Sequence, residues 1–492
     1  MRIVTYYAPV VIAVPMWTPA NFDEAAGQKW HVFEPRMSRN VAIRRCFIHQ
    51  RVSEGWTRRL MKNCPEEEKI LIDRINRHFG LAPDCKDSGM MFAALRLRGE
   101  HVEVTDTTVL GAMNAVLLHG CRSARLAGNT LRSGTGGVCL MMCGYRPWPA
   151  QPDSPPIRGS YLREVLVEGN SLVSRADRSR NGSFFYQSGM HCHMARNRIE
   201  DASRDSDGEA AGCHLWMERW LGLRLEMTGP RTGRIVDPEG VLRRQDVVEA
   251  AIEITGGRGS GQIRMIARRD GEVIELDKPW RVAPDHTSKV CFVAPAPFHQ
   301  LNFVDNHIEN TGPAIILWGS SNDVMVDGNR ISYSPGIGIY SVNLSDKLER
   351  IWGGAYFTQV VNNTLDVGMF QPDAETILDH KHESLPQHGV IANMSYLPSE
   401  DYDFLGLIVR NNCTKNNTGI IIKKTFRQDN GTSAVANDAG MVVEGNYACD
   451  SVAGIVIEDG AASVDRGNRA ERVRWPMIRF DRKTDKVRFL SE

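Results

Sequence analysis

One short pattern recurs along the chain and restricts what it can fold into: alternating apolar residues, then an Asn, then another apolar position. It runs through SARLAGNTL, EVLVEGNSL, HCHMARNRI, LNFVDNHI, DVMVDGNRI, QVVNNTL, LIVRNNCT and MVVEGNYA, placing Asn at 129, 170, 197, 306, 329, 363, 412 and 446. Between these copies runs a second pattern, a Gly or Ala followed by a short apolar strand, as in AVLLHG, AIILWGS, GIGIYSV, GVIANMS and GIVIED. A step such as Asn306 to Asn329 is 23 residues, enough for three short strands and their bends. An Asn at a strand bend bonds backbone groups of the bend and tolerates the left-handed conformation. In stacked coils, each Asn amide can bond the one in the next coil. One coil alone cannot bury its apolar face, so many are required, and at least nine are countable. The alternative is an α/β protein with short buried strands, which the lack of helical stretches between the copies disfavours.

Two stretches break the rhythm. PEEEKILIDRINRHF (65–79) opens with Pro65 and three Glu residues and spaces Ile70, Leu71, Ile75 and Phe79 helically, which predicts a helix inserted at about 60–82. The stretch 226–297 lacks the Asn rhythm and carries Arg269-Asp270-Gly271 between alternating segments, which predicts a small β insertion with a hairpin there. The predicted organisation is a strand or cap segment at 1–39, first coils at 40–225, the insertion at 226–297, later coils at 298–469, and a cap at 470–492.

The Asn-terminated coils resemble the right-handed parallel β-helix superfamily that holds pectate lyases, polygalacturonases, alginate-modifying enzymes and phage tailspikes. GSGQIRMIARRDGEVIELDKPWRVAPDHTS, ahead of LNFVDNHIENTG, is similar to an insertion in bacterial β-helix proteins described as glycoside-hydrolase-like. The resemblance covers roughly 40–470 at the level of fold. It implies an all-β, right-handed parallel β-helix with a small inserted β-domain and one inserted helix, and a carbohydrate polymer as partner. The chain departs from the polygalacturonase motifs, with only Gln387-His388-Gly389 and Ser321-Asn322-Asp323 in their place. The paired Asp residues and catalytic Arg of pectate lyases are not visible either.

Charge and cysteine content narrow the partners. Lys plus Arg and Asp plus Glu are 59 each, so the chain has no global positive field of the kind that draws nucleic acid. The eleven Cys form no CxxC pair, which argues against a zinc site or a disulfide framework; Cys139 and Cys143 are the one close pair. No apolar run approaches the 18–20 residues of a membrane span. The opening MRIVTYYAPVVIAVPM has no clear cleavage site and is read as a first strand; an extracellular or periplasmic location is suspected without a signal peptide to support it. A homo-oligomer of the tailspike kind is compatible with the fold.

Candidate chemistry follows from alternation along the Gly-led strands. The outward column is predicted as His119, Met141, Gln187, Trp216, Trp318, Tyr340, Asn393, Lys423 and Glu458. Trp216, Trp318 and Tyr340 on successive coils would be platforms for sugar rings; the bland alternative is that they are simply covered. Asp205, Asp207 and Glu209 crowd the stretch before His214, and clustered carboxylates split their pKa values in the way an acid and a base require. Glycoside hydrolysis needs such a pair and no cofactor. A Ca²⁺ site built from those carboxylates, or a solvated acidic turn, are the alternatives. Glu309 is expected at the same rim. His380 and His388, in ILDHKHESLPQHG, are assigned to a substrate-facing loop, and Asn393 and Lys423 to the substrate rim. His-x-His without a third ligand is a weak metal signal, so no metal is assigned. The leading reading is a glycoside hydrolase. A lyase or epimerase acting on a uronate polymer, with His214 or Tyr340 as base and Lys423 as the stabilising cation, is the runner-up. A non-catalytic glycan-binding adhesin is third.

Overall fold

The computed structural model describes residues 2–6, 10–12, 38–51, 93–111, 114–134, 138–143, 162–174, 184–186, 189–201, 211–214, 218–219, 224–236, 248, 250–294, 298–311, 313–319, 321–334, 336–345, 350–366, 389–396, 402–416, 419–422, 425–427, 433–435, 438–451, 453–458, 463–481 and 486–490. The described residues are all strand, turn and bend, with no α-helix among them; the helix expected at 60–82 lies outside them. Short strands recur in threes and stack in parallel on those of the next coil, so that the chain winds as a right-handed parallel β-helix.

Three sheets result. The first takes the Gly-led strands, such as Ala211–His214, Ile315–Trp318, Gly336–Ser345 and Gly389–Tyr396. The second takes strands such as Arg163–Glu168, Gly189–Ala195 and Phe298–Val304. The third takes the short strands after each Asn, among them Arg198–Asp201, His307–Glu309 and Arg330–Ser332. One inward residue of each successive third-sheet strand stacks in register on the next: Leu131 on Leu172, then Ile199, Ile308, Ile331, Leu365, Thr414 and Ala448. The stack from Leu131 to Leu365, with inward residues of the other two sheets, forms one continuous apolar core.

The Asn ladder exists, and it is longer than the sequence pattern suggested. The side-chain Oδ1 of Asn170 accepts from both the backbone N–H and the Nδ2 of Asn129, at 2.9 Å each. The same double contact links 170 to 197, 197 to 306, 306 to 329, 329 to 363, 363 to 412, 412 to 446 and 446 to 468. Each amide also donates to a strand carbonyl of a neighbouring coil, as Asn329 does to Phe303 at 3.0 Å. Asn468 is a rung the repeat pattern passed over, because VDRGNRA lacks the apolar alternation of the other copies. Asn197 and Asn306 are 109 residues apart in sequence yet bond directly, so the excursion that begins after strand Ala211–His214 and ends before strand Phe298–Val304 leaves the stacking of the coils intact.

Part of that excursion is an antiparallel sheet. Arg224–Met227 pairs with Thr232–Val236, then Val273–Leu276, Ile263–Asp270, Ala251–Gly256 and Lys289–Ala294 follow in order. Its hairpin turns at Gly271, which has φ +58°. One face of this sheet holds its own core of Ile252, Ile254, Ile266, Trp280 and Phe292, while Ala251, Met265 and Cys291 join the core of the coils. A buried polar seam fixes the attachment. Asn322 Nδ2 donates to Glu253 Oε1 at 3.0 Å and lies 3.2 Å from the Gly261 carbonyl, and the Tyr356 hydroxyl reaches the carbonyls of Tyr402 (2.7 Å) and Thr255 (3.2 Å). Burial of these groups is tolerable because they are paired.

At the two ends, Arg2–Tyr6 forms a strand parallel to Phe47–Arg51, and Trp475–Asp481 closes the first sheet and folds back onto Lys486–Leu490.

Candidate functional site

Strand register assigns the row on the first sheet. His214 is paired with Trp318, Trp318 with Tyr340, and Tyr340 with Asn393, so the four positions follow one another up the sheet at a strand spacing of about 4.8 Å. This corrects the predicted column at two places. The position in register with Trp318 is His214, not Trp216: alternation gives both the same phase, and the pairing between coils selects His214. The position in register with His119 is Cys143, not Met141, which pairs with Leu117.

Only part of this face is accessible. Towards the N-terminal end, Leu117 and Met141 are buried in a small cluster with Ala93 and Val138. His119 is also buried there, its Nδ1 2.7 Å from Nη2 of Arg96. Towards the C-terminal end, Ile421 and Val456 are buried with Ile478, and Glu458 is 3% exposed. Between them, Ile316 and Tyr340 are partly exposed. The long groove anticipated from sequence is therefore shortened to the middle coils.

Tyr340 is held in a specific pose there. A Cβ built on Gly338 would fall 2.5 Å from Tyr340 Cε2 and 3.0 Å from its hydroxyl oxygen, so the phenol ring lies back along its own strand over Gly338. Gly338 is in register with Ile316 and Ile391 on the coils either side. The ring thus lies along the sheet instead of standing off it, the orientation in which an aromatic face can meet the CH face of a sugar ring.

The remaining predicted residues divide into two groups. Asp205, Asp207, Glu209, Trp216, His380, His388 and Lys423 lie outside the described residues, as does Gln187, and for His214, Trp318 and Asn393 the structure places the backbone. In chain order, residues 202–210 connect strand Arg198–Asp201 to the strand ending at His214, and residues 367–388 connect strand Thr364–Asp366 to the strand of Asn393. Glu309 is on a described strand. It sits on the third sheet in register with Glu200 and Ser332, with its carboxylate 3.6 Å from Arg198 and 3.8 Å from His307. Glu309 is thus one sheet away from the row, beside the strand that leads into residues 202–210. Among the described residues no group of three or more His, Cys, Asp or Glu could hold a metal ion.

No protein-family model and no curated protein matches this sequence. Among solved structures, the chain is similar to the tailspike gp61 of Pseudomonas phage phi297, with 8% identity over 64% of each chain and a TM-score of 0.20. A PL6 alginate lyase in complex with a trisaccharide matches at 10% identity, covering 90% of this chain and 85% of that one, with a TM-score of 0.22. The Gp54 tailspike of Acinetobacter baumannii bacteriophage AP22, in complex with a capsular saccharide, matches at 6% identity over 65% of this chain and 64% of that one, with a TM-score of 0.17. At these TM-scores the superpositions carry no argument, and the β-helix rests on the strand pairing and the Asn ladder.

Proposed function

We propose that this protein binds a carbohydrate polymer across the middle coils of the first sheet and cleaves it by hydrolysis. The observation that supports this reading is the row itself. Tyr340 lies along an accessible stretch of sheet whose two ends are buried, and Trp318 shares its phase in the strand alternation one coil away. Sugar rings stack on aromatic faces, and a polymer needs several such platforms. The carboxylates come from residues 202–210, the connection that leads directly into the strand of His214. Two of Asp205, Asp207 and Glu209 supply the acid and the base, at a separation of about 5–5.5 Å for retention or about 6.5–9.5 Å for inversion. His380 and His388, on the connection leading into the Asn393 strand, contact substrate from the neighbouring coil, and Lys423 extends that rim. The chemistry requires no cofactor, and Ca²⁺ held by the same carboxylates is the competing use of that segment.

A second reading, lyase or epimerase action on a uronate, is favoured by the titratable residues of the row, His214 and Tyr340, either of which could abstract a proton α to a carboxylate.

One polysaccharide panel separates these readings, scored in parallel for new reducing ends and for the ultraviolet absorbance of an unsaturated uronate. The wild type is compared with Asp207→Asn, Glu209→Gln and Trp318→Ala. Hydrolysis predicts reducing ends without the ultraviolet signal, abolished in a carboxylate variant and reduced in Trp318→Ala. An ultraviolet signal sinks hydrolysis and transfers the base role to His214 or Tyr340. Binding without either product, lost in Trp318→Ala, means an adhesin, and a protein that binds nothing on the panel overturns the carbohydrate reading.

A further inference from the structure

A second recess lies away from the row, where the inserted antiparallel sheet meets the outer side of the second sheet. Its volume is about 170 Å³, and it is lined on the coil side by Arg163, Glu164, Met190, His191 and His299, and on the insertion side by residues including Arg264, Met265, Asp277 and Lys278. An enclosed cavity of about 150 Å³ holds a bare benzene ring, so this recess, open on one side, receives one end of a single pyranose and does not enclose an oligomer.

The lining is polar around an apolar floor. Met190, Ile263 and Met265 are buried and supply the floor. Three fixed cations, Arg163, Arg264 and Lys278, face two carboxylates that are already engaged: Glu164 Oε2 accepts from Ser123 Oγ at 2.6 Å, and Asp277 Oδ1 accepts from the Met265 N–H at 2.9 Å. Arg264 is fixed in place, donating to the carbonyls of Pro279 (2.9 Å) and Ile263 (2.6 Å), with its guanidinium 4.9 Å from the Trp280 ring centroid. The two histidine rings meet edge to face at 6.0 Å. Arg163 Nε is buried and has no hydrogen-bond partner among the described residues. A buried polar nitrogen without a partner is costly, so such an atom beside a recess marks where a ligand's oxygen gains most.

The geometry points to a second ligand site at this junction, one that takes a single ring bearing one carboxylate, held at its charged end by Arg163 and Lys278 and at its apolar side by Met190 and Met265. The ligand class follows from volume and charge, so the site stands or falls independently of what the first sheet does. Full-length protein is titrated calorimetrically with glucuronate, with glucose (the same ring without the charge) and with inorganic phosphate (charge without the ring). Glucuronate binds, and glucose and phosphate each bind at least tenfold more weakly. Lys278→Met and Arg163→Gln each weaken glucuronate by at least tenfold, the effect of losing a charge-assisted hydrogen bond. Lys278 is exposed, so its variant tests the site even if Arg163→Gln disturbs packing. Any polysaccharide cleavage scored in the panel is unchanged in Lys278→Met. No glucuronate binding, equal binding of glucose or of phosphate, or unaltered affinity in Lys278→Met overturns the proposal.

Discussion

A methyl group at position 338 would collide with the Tyr340 ring, and the backbone there is not in the left-handed region, so the glycine serves the ring rather than the chain. Gly338→Ala therefore keeps the strand and displaces the phenol. The expected result is a stability change within about 1 kcal/mol. Glycan affinity in a binding titration falls by about 1 kcal/mol, roughly fivefold. A second residue-scale expectation concerns His299. Burial beneath the insertion pushes its pKa below the usual 6.5, with Asp323 opposing and His191 reinforcing the shift. Its folded-state pKa lies below the unfolded one, so between them the unfolded chain holds more protons. This contribution to stability is complete above about pH 6.5 and is lost as pH falls towards the folded-state value. Thermal melts from pH 7.5 down to pH 5 (about the range in which histidine titrates) should show a falling Tm, with a shallower fall in His299→Gln. An identical slope in the variant would remove His299 as the cause.

At the scale of elements, the seam between the insertion and the coils depends on Tyr356, which is fully buried. Tyr356→Phe leaves two carbonyls short of a donor and should cost about 1–2 kcal/mol, with faster amide exchange in strand Ala251–Gly256 and little change in the remote third sheet. Uniform exchange throughout would mean that the seam is not a local unit. Elements also show what sequence could and could not convey. The rungs were legible because Asn is chosen for its side-chain amide at that bend. A file of left-handed residues, near the start of many second-sheet strands, was not. It runs through Asn40, His101, Ser123, Glu164, His191, Gln300, Asp323 and Phe357, all with φ between 51° and 56°. Asn40, His101, His191 and Asp323 are of types that tolerate that conformation, but Ser123, Glu164, Gln300 and Phe357 are not, so stacking on neighbouring coils must impose it on half of the file and no consistent local preference records it. The same limit explains the offset at His214. Which residue of a strand meets Trp318 is set by pairing with the next coil, whereas alternation read within one segment gives 214 and 216 the same phase and cannot choose between them.

For the whole molecule, stability is a sum over nearest-neighbour coils, and the ladder is its least redundant part. Asn329 donates to Phe303 and Asn363 and accepts twice from Asn306, all buried, whereas Asn468 is a terminal, half-buried rung. Asn329→Ala should cost about 2–4 kcal/mol and Asn468→Ala about 1 kcal/mol, read from urea midpoints. Equal costs would mean that the rungs contribute no more in the middle than at the end. The candidate site was legible only in outline. The row on the first sheet follows from repeat and alternation, but its accessible length is decided by what covers Leu117 and Ile421, which no periodicity encodes.

Because rung 197 bonds directly to rung 306, the length of chain spent between them is almost invisible to the coil. Stretching a connection from 23 to 109 residues adds only about 1.4 kcal/mol of closure entropy. An architecture with that property accepts new modules at single insertion points and can exchange them without redesigning the spine. Descendants of one ancestral coil stack could therefore diverge in what they recognise while remaining superimposable rung for rung.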